Sequence, residues 1–230
     1  MAHNLRLVAR HSTTINICFH GVGIPERDLE SGEDAYWITE DRYREIVDEI
    51  ATWPSVGISF DDGNASDASI ALEPLVQRGL QATFFVLAGR IDKPGSLATT
   101  QIRELSSAGM GIGSHGMDHV PWTSLDDGSR RRELVEAREV LSTVVDRPIT
   151  DAACPLGRYD RSVLAELRRL GYSRVHTSDR VGARPSAWIQ PRYSIRRDDT
   201  AESIRTTILE RQGFRHRVRP VVTSTVKRLR

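Results

Sequence analysis

The segment Ser59-Phe60-Asp61-Asp62-Gly63 sets two adjacent carboxylates at the end of an apolar run, Val56–Phe60. Two carboxylates in one cleft repel each other when both are ionised. A bound cation relieves that cost for one and leaves the other free to act as a base. A second segment, Gly113-Ser114-His115-Gly116-Met117-Asp118-His119, sets two histidines four residues apart after another apolar run, Met110–Ser114. Two neutral imidazoles and one carboxylate form a three-ligand set for catalytic zinc, with the fourth position left to water. Each segment has an ordinary alternative: Asp-Asp-Gly is a common turn, and a His-x3-His pair arises by chance or in helix capping. Together they nominate Asp62, His115 and His119 as metal ligands. The metal would lower the pKa of its water from about 16 towards about 7. Asp61, beside a ligand but not needed as one, is placed to take the proton.

The elements that must position these groups are legible as short apolar runs. Strands are expected at Ile15–Phe19, Val56–Phe60, Ala82–Leu87, Met110–Ser114, Thr150–Cys154, Ser173–His176 and Arg192–Ile195. Helical patterns lie between most of them. Glu40–Ala51 carries Tyr43, Ile46, Val47 and Ile50 at the i, i+3, i+4, i+7 spacing. Further helices are expected over Ala68–Gln77, Thr100–Ala108, Arg130–Val144, Arg161–Leu170 and Ala201–Arg211. Gly109 and Gly171 stand just past two helix ends, where a left-handed residue is wanted. Strands alternating with helices imply parallel βα units. The most economical closure is one barrel-like α/β domain over residues 1–211, with an open doubly wound sheet as the alternative. In such barrels sites form at the C-terminal ends of strands, where both chemical segments fall. The loop Gly21–Gly32 could form one rim of a cleft.

These residues resemble the polysaccharide deacetylase family, the NodB homology domain of carbohydrate esterase family 4. Ser59–Gly63 matches its (T/S)FDDG motif, Ala82-Thr83-Phe84-Phe85-Val86 resembles the strand that follows, and His115–His119 matches its metal histidines with one residue fewer than the usual spacing. The resemblance covers roughly Ile15 to Ile195. It implies a distorted (β/α)7 barrel of NodB-like type, zinc or a similar divalent ion, and hydrolysis of an N- or O-acetyl group on a glycan. It also implies Asp61 as general base and Asp62 as ligand.

The family's third motif, Arg-x-Pro-Tyr/Phe-Gly, is Ala153-Cys154-Pro155-Leu156-Gly157 here. In the family the backbone N–H at the aromatic position stabilises the oxyanion, and Leu156 can supply that donor. The arginine that steadies the base is Ala153 here, so Arg192 or Arg158 is expected to replace it. The family's last motif, Leu-x-His, supplies a general acid, and no such motif occurs near the C-terminus. Ile17-Cys18-Phe19-His20 near the N-terminus has the right form. The chain thus resembles circularly permuted members, with His20 as the general acid.

Composition narrows the remaining classes. The chain has 230 residues, 39% hydrophobic and 27% charged, and a net charge of +1, which gives no global field to recruit nucleic acid. Cys18 and Cys154 both sit in strand-like runs and read as buried thiols. No membrane-length apolar segment or leader pattern is evident, so a cytoplasmic place is expected. Residues 212–230 form a basic tail, with Arg215, Arg217, Arg219, Lys227, Arg228 and Arg230, that is either simply solvated or weakly attracted to an anionic membrane surface. The expected partner is an acetylated sugar, glycan or lipid-linked sugar. Of Trp37, Trp53, Trp122 and Trp188, only Trp122, close after His119, is singled out as a sugar platform; His3, His11 and His176 receive no role. Other readings are a non-catalytic carbohydrate-binding relative, a two-histidine, one-carboxylate Fe(II) oxygenase, and a metal-free amidase on the same barrel.

Overall fold

The structure, a computed structural model, describes residues 13–210. The basic tail, with His216, and the N-terminal His3 and His11 lie outside the described residues. The strands are β1 (Ile15–Phe19), β2 (Gly21–Val22), β3 (Trp37–Ile38), β4 (Val56–Asp62), β5 (Ala82–Val86), β6 (Gly111–Ser114), β7 (Asp151–Ala153), β8 (Arg174–Thr177), β9 (Ile189–Pro191) and β10 (Tyr193–Ser194). The helices are α1 (Glu40–Ala51), α2 (Leu72–Gln77), α3 (Thr99–Ser107), α4 (Asp127–Arg131), α5 (Ala137–Val145), α6 (Arg161–Arg169) and α7 (Ala201–Ile204).

Helix α1 shows why the pattern reads through to structure. Thr39 caps it by accepting from the Arg42 N–H at 3.2 Å, and Glu40 and Asp41 occupy the first turn, where the helix dipole favours acidic groups. Tyr43, Ile46, Val47 and Ile50 are all fully buried. Each buried apolar side chain contributes about 1.5–3 kcal/mol of transfer free energy. Wider π-type turns over Asp67–Ala71 and Arg132–Glu136 precede α2 and α5, so the expected Ala68–Gln77 and Arg130–Val144 helices are interrupted rather than uniform. The helix expected over Ala201–Arg211 is α7 followed by such a turn, Arg205–Glu210.

Eight parallel strands form one sheet in the order β10-β1-β4-β5-β6-β7-β8-β9. Strand β9 pairs with β8, and β10 pairs with β1. The two are halves of one extended segment split at Arg192, so the sheet curls into a nearly closed barrel of seven strand positions. The expected barrel is therefore present, and the open doubly wound sheet is not. Strand period 2 divides the residues cleanly. Phe60 stacks on Phe84 at 4.7 Å and on Phe19 at 5.2 Å, with Tyr43 of α1 against Phe19. Their neighbours Ser59, Asp61, Phe85, His176 and Arg192 meet inside: Arg192 reaches Ser59 at 3.0 Å and lies 5.2 Å from the Phe85 ring, which lies 4.7 Å from His176. Gly113 is needed beside them, since a Cβ there would stand 2.4 Å from Phe85 Cε1.

The π-type turn after β4 buries Asp67 completely. Burial raises its carboxyl pKa well above the ordinary value, and the like charges of Asp62 and Asp61 push the same way. Both effects favour the neutral carboxyl, which would spare the barrel end a third negative charge. Folding then takes up a proton at this residue, so its contribution to stability falls as pH rises above the unfolded carboxyl value near 4. Asp67→Asn should remove that loss: denaturant midpoints of the variant should decline less than wild type between about pH 4 and pH 7. Parallel pH profiles for the two proteins would contradict this.

Candidate functional site

Both chemical segments end at the same mouth of the barrel. Strand β4 carries Asp61 and Asp62 at its last two positions, and β6 ends one residue before His115. Asp62 leaves the strand with φ 78°, His119 has φ 57°, and Leu156 has φ 54°. Non-glycine residues held in this left-handed region cost roughly 1–3 kcal/mol each and cluster at functional sites. Here the turns aim three different loops at one cleft of about 200 Å³, lined by His20, Asp61, Asp62, His115, His119 and Leu156 among others.

The geometry at Asp62 is the most telling. Its Oδ1 lies 3.4 Å from His115 Nε2 and 3.4 Å from His119 Nε2. That oxygen is buried and has no hydrogen-bond partner among the described residues. His115 Nδ1 is 2.9 Å from the Ala153 carbonyl, and His119 Nδ1 is 2.6 Å from Glu30 Oε2. A carbonyl or carboxylate oxygen can only accept, so each Nδ1 carries the proton when its ring is neutral. Each Nε2 is then a lone pair aimed at Asp62. The three donor groups lie within 4.8 Å of one another. A tetrahedral ion with bonds of roughly 2.0–2.1 Å separates its ligand atoms by about 3.3–3.4 Å. The observed spacing fits a small divalent ion. Burial lowers the affinity of His115 for a proton, but Asp61 and Asp62 outweigh it and raise the pKa above the usual value. Burial opposes the ionisation of Asp62, yet the imidazoles of His115, His20 and His119 beside it hold its pKa far below the carboxylate range.

Asp61 is held separately. Arg192, at the β9–β10 junction, donates from Nη1 to Oδ1 at 2.6 Å and from Nη2 to Oδ2 at 2.7 Å. Arg158 is exposed on the third-motif turn, so of the two expected arginines Arg192 is the one at Asp61. Burial would raise the Asp61 pKa, but Arg192 and His115 pull it down to about 2. His20 stands just past β1, its Nδ1 buried without a partner among the described residues and its ring 4.8 Å from Tyr36. Burial lowers its pKa, opposed by Asp62 and Asp61. Leu156 is exposed on the turn Pro155–Gly157, whose internal bonds run from the Gly157 and Arg158 N–H groups to Cys154 and Pro155. The Leu156 N–H takes no part in them. Cys18, His20 and Asp61 also lie within 4.8 Å of one another. They are a poor ligand set: Arg192 engages both Asp61 oxygens, and burial raises the Cys18 thiol pKa well above its usual value.

Several supporting residues escaped sequence reasoning. Glu133, buried in the π-type turn before α5, accepts from the Met117 and Asp118 N–H groups at 2.8 and 3.1 Å and from Trp122 Nε1 at 3.4 Å. It clamps the loop between the two histidines. Gly116 allows that approach, with φ +88° and a would-be Cβ only 2.3 Å from Glu133 Oε2. Trp122 is 1% exposed, so it cannot stack on a sugar; the expectation for it is corrected to packing on Glu133. Glu30 and Tyr36, on the loop between β2 and β3, had no local signal beyond the loop-like composition of Gly21–Gly32. Cys18 and Cys154 are buried thiols outside any disulfide, as expected. No helix among the described residues is long and apolar enough to cross a membrane.

The model of the polysaccharide deacetylase family matches residues 49–175, more than half of the chain. The chain belongs to the polysaccharide deacetylase family. The matched span holds Asp61, Asp62, His115, His119 and Leu156, while His20 and Arg192 lie on either side of it. The curated relative YxkH of Bacillus subtilis (strain 168), whose name carries the same family, is 24% identical over 159 residues, 65% of this chain and 56% of its own length. The chain thus spans little more than half of that relative. Among solved structures, the Streptococcus pyogenes deacetylase PplD in complex with acetate superposes with a TM-score of 0.74 at 17% identity, covering 86% of this chain and 98% of its own. IcaB from Ammonifex degensii gives 0.69 at 21% identity, covering 84% and 96%. At these identities the structural likeness establishes the shared polysaccharide deacetylase fold.

Removing the guanidinium from Arg192 should leave Asp61 buried and unpaired. Arg192→Met in metal-free protein is expected to lose about 3–5 kcal/mol of unfolding free energy at neutral pH. The loss should shrink as pH falls towards 2 and the carboxylate protonates. Denaturant unfolding at two pH values checks both; a loss under about 1 kcal/mol at neutral pH would show that the pair does not hold the site.

Proposed function

We propose that the chain is a divalent-metal-dependent hydrolase that removes an acetyl group, chiefly N-acetyl, from a carbohydrate. The observation that carries this reading is the unpartnered Asp62 Oδ1, equidistant from two imidazole Nε2 atoms, with a second carboxylate pinned alongside. Asp62, His115 and His119 would hold the ion, most simply zinc. When bound, the ion supplies Lewis acidity that polarises the acetyl carbonyl and makes water a better nucleophile at neutral pH.

The chain's own groups account for the remaining steps. Asp61, ionised throughout the working range, takes a proton from the attacking water. Arg192 fixes its plane, and each carboxylate oxygen keeps a lone pair beyond the one Arg192 engages. The Leu156 N–H, without a backbone acceptor among the described residues, donates to the carbonyl oxygen as negative charge gathers there; a backbone donor does this whatever its side chain. As the C–N bond breaks, His20 delivers a proton to the departing nitrogen, giving acetate and a free amine. The lowered pKa of His20 makes the protonated ring a ready donor. The family membership supports a glycan substrate, and acetate, with which PplD is in complex, is the product this reaction would release. The substrate class is an acetylated sugar, glycan or lipid-linked sugar. The α/β barrel disfavours the Fe(II) oxygenase reading, and the paired Asp61 disfavours a purely binding role, which has no need of a second buried carboxylate.

Metal analysis joined to acetate release from N-acetylated sugars tests the reading. Wild type should carry one ion per chain and release acetate, and Asp61→Asn should keep the ion while losing roughly 10²–10⁴-fold in turnover. Bound metal with no acetate from several sugars would favour the binding relative. The pH profile gives a second check. Because kcat/KM reports the free enzyme and burial lowers His20, the alkaline limb should fall below the ordinary histidine value of about 6.5. His20→Asn should abolish that limb; a limb above that value, or one kept in the variant, would remove His20 from the role.

A further inference from the structure

The loop between β2 and β3 is anchored on two sides. On its inner side Arg27 donates to Asn64 Oδ1 at 3.1 Å from Nε and 2.8 Å from Nη2, directly after the Asp61-Asp62-Gly63 turn. Arg27 also pairs with the buried Glu33, whose Oε2 accepts from the Glu30 N–H at 2.8 Å. On its outer side the Glu30 carboxylate spans the cleft rim. One oxygen receives Arg90, from the turn after β5. The other receives His119 Nδ1 at 2.6 Å. The same loop carries Tyr36 to the His20 ring, 4.8 Å away, and lines the cleft with Ser31 and Gly32.

We infer that Glu30 couples this loop to the metal centre, so that loading the ion and closing the cleft wall are one linked equilibrium. The inference rests on the reading that Asp62, His115 and His119 hold the ion. A carboxylate on the Nδ1–H of a ligating imidazole fixes the tautomer, orients the ring and strengthens the Nε2 donor; loss of such a partner costs 10–100-fold in metal affinity. Ala153 provides the equivalent contact to His115, but from a backbone carbonyl at the end of β7. The contact to His119 comes instead from a side chain 43% exposed on a loop, and it exists only while the loop lies against the site. If loop closure raises metal affinity by some factor, metal binding raises the closed population by the same factor. Glu30 is thus a positioning residue, and the occupied site also sets Tyr36 and the cleft wall in place for the sugar.

Zinc affinity of the full chain, measured by competition with a chromophoric chelator, tests this together with hydrogen exchange of residues 24–32. Glu30→Ala should weaken zinc binding about 10–100-fold. Glu30→Gln, which keeps an acceptor but not the charge, should fall between Ala and wild type. The unfolding midpoint of the zinc-free protein should stay unchanged in both. Zinc should slow exchange in the loop of wild type and do so far less in Glu30→Ala. Wild-type zinc affinity in Glu30→Ala, or loop exchange indifferent to zinc in wild type, would overturn the coupling while leaving the metal site intact. A wild-type protein that binds no zinc would overturn the coupling and the metal site together.

Discussion

Two carboxylates stand side by side at the end of β4, Asp61 4% and Asp62 2% exposed. Neighbouring buried anions are costly unless each has its own compensation. The architecture around the barrel mouth distributes that compensation. Arg192 neutralises Asp61 through a planar, two-bond contact. Two imidazoles face Asp62, where a cation would complete the balance. At Asp67, the next acid along, burial favours the neutral carboxyl. The proposed division of labour follows from this: the carboxylate with an arginine would exchange a proton with substrate water, and the one without would be left to a metal.

The barrel exists in this form because of how it closes. The segment carrying Arg192 pairs first with β8 and then with β1, and the arginine sits at the changeover. Its side chain therefore points into the barrel between the two seams and meets β4 two strands away. Strand β1 lies between that segment and β4, which puts His20 on the far side of Asp61 from His115 and His119. The family match begins only at residue 49, after this strand. A permuted order, with the strand that carries the proposed acid His20 moved to the front, would give the same spatial neighbours from a different chain path.

Much of this was legible in the sequence because it is local. The α1 boundaries coincide with the 3.6-residue pattern and the Thr39 cap, and the strand runs end within two or three residues of where the periodicity placed them. Asp61, Asp62, His115 and His119 were marked by adjacency and by position after apolar runs. What was not legible is what depends on distant pairing. Arg192 and Arg158 were equivalent candidates until barrel closure put one of them 2.6 Å from Asp61. Glu133 looks like any helix-surface acid, and only the fold turns it under the histidine loop. Trp122 follows His119 closely in sequence yet is buried on that same Glu133. Glu30 lies 89 residues from His119, too far for any local pattern to join them.

All of the proposed chemistry depends on one ion between Asp62, His115 and His119. X-ray absorption at the zinc edge of the zinc-loaded chain measures this directly. The first shell should contain only nitrogen and oxygen at about 2.0–2.2 Å, with the outer-shell scattering of two imidazoles. A sulfur neighbour at about 2.3 Å, which would place the ion with Cys18 and His20 instead, or a shell with no imidazole scattering, would contradict the account.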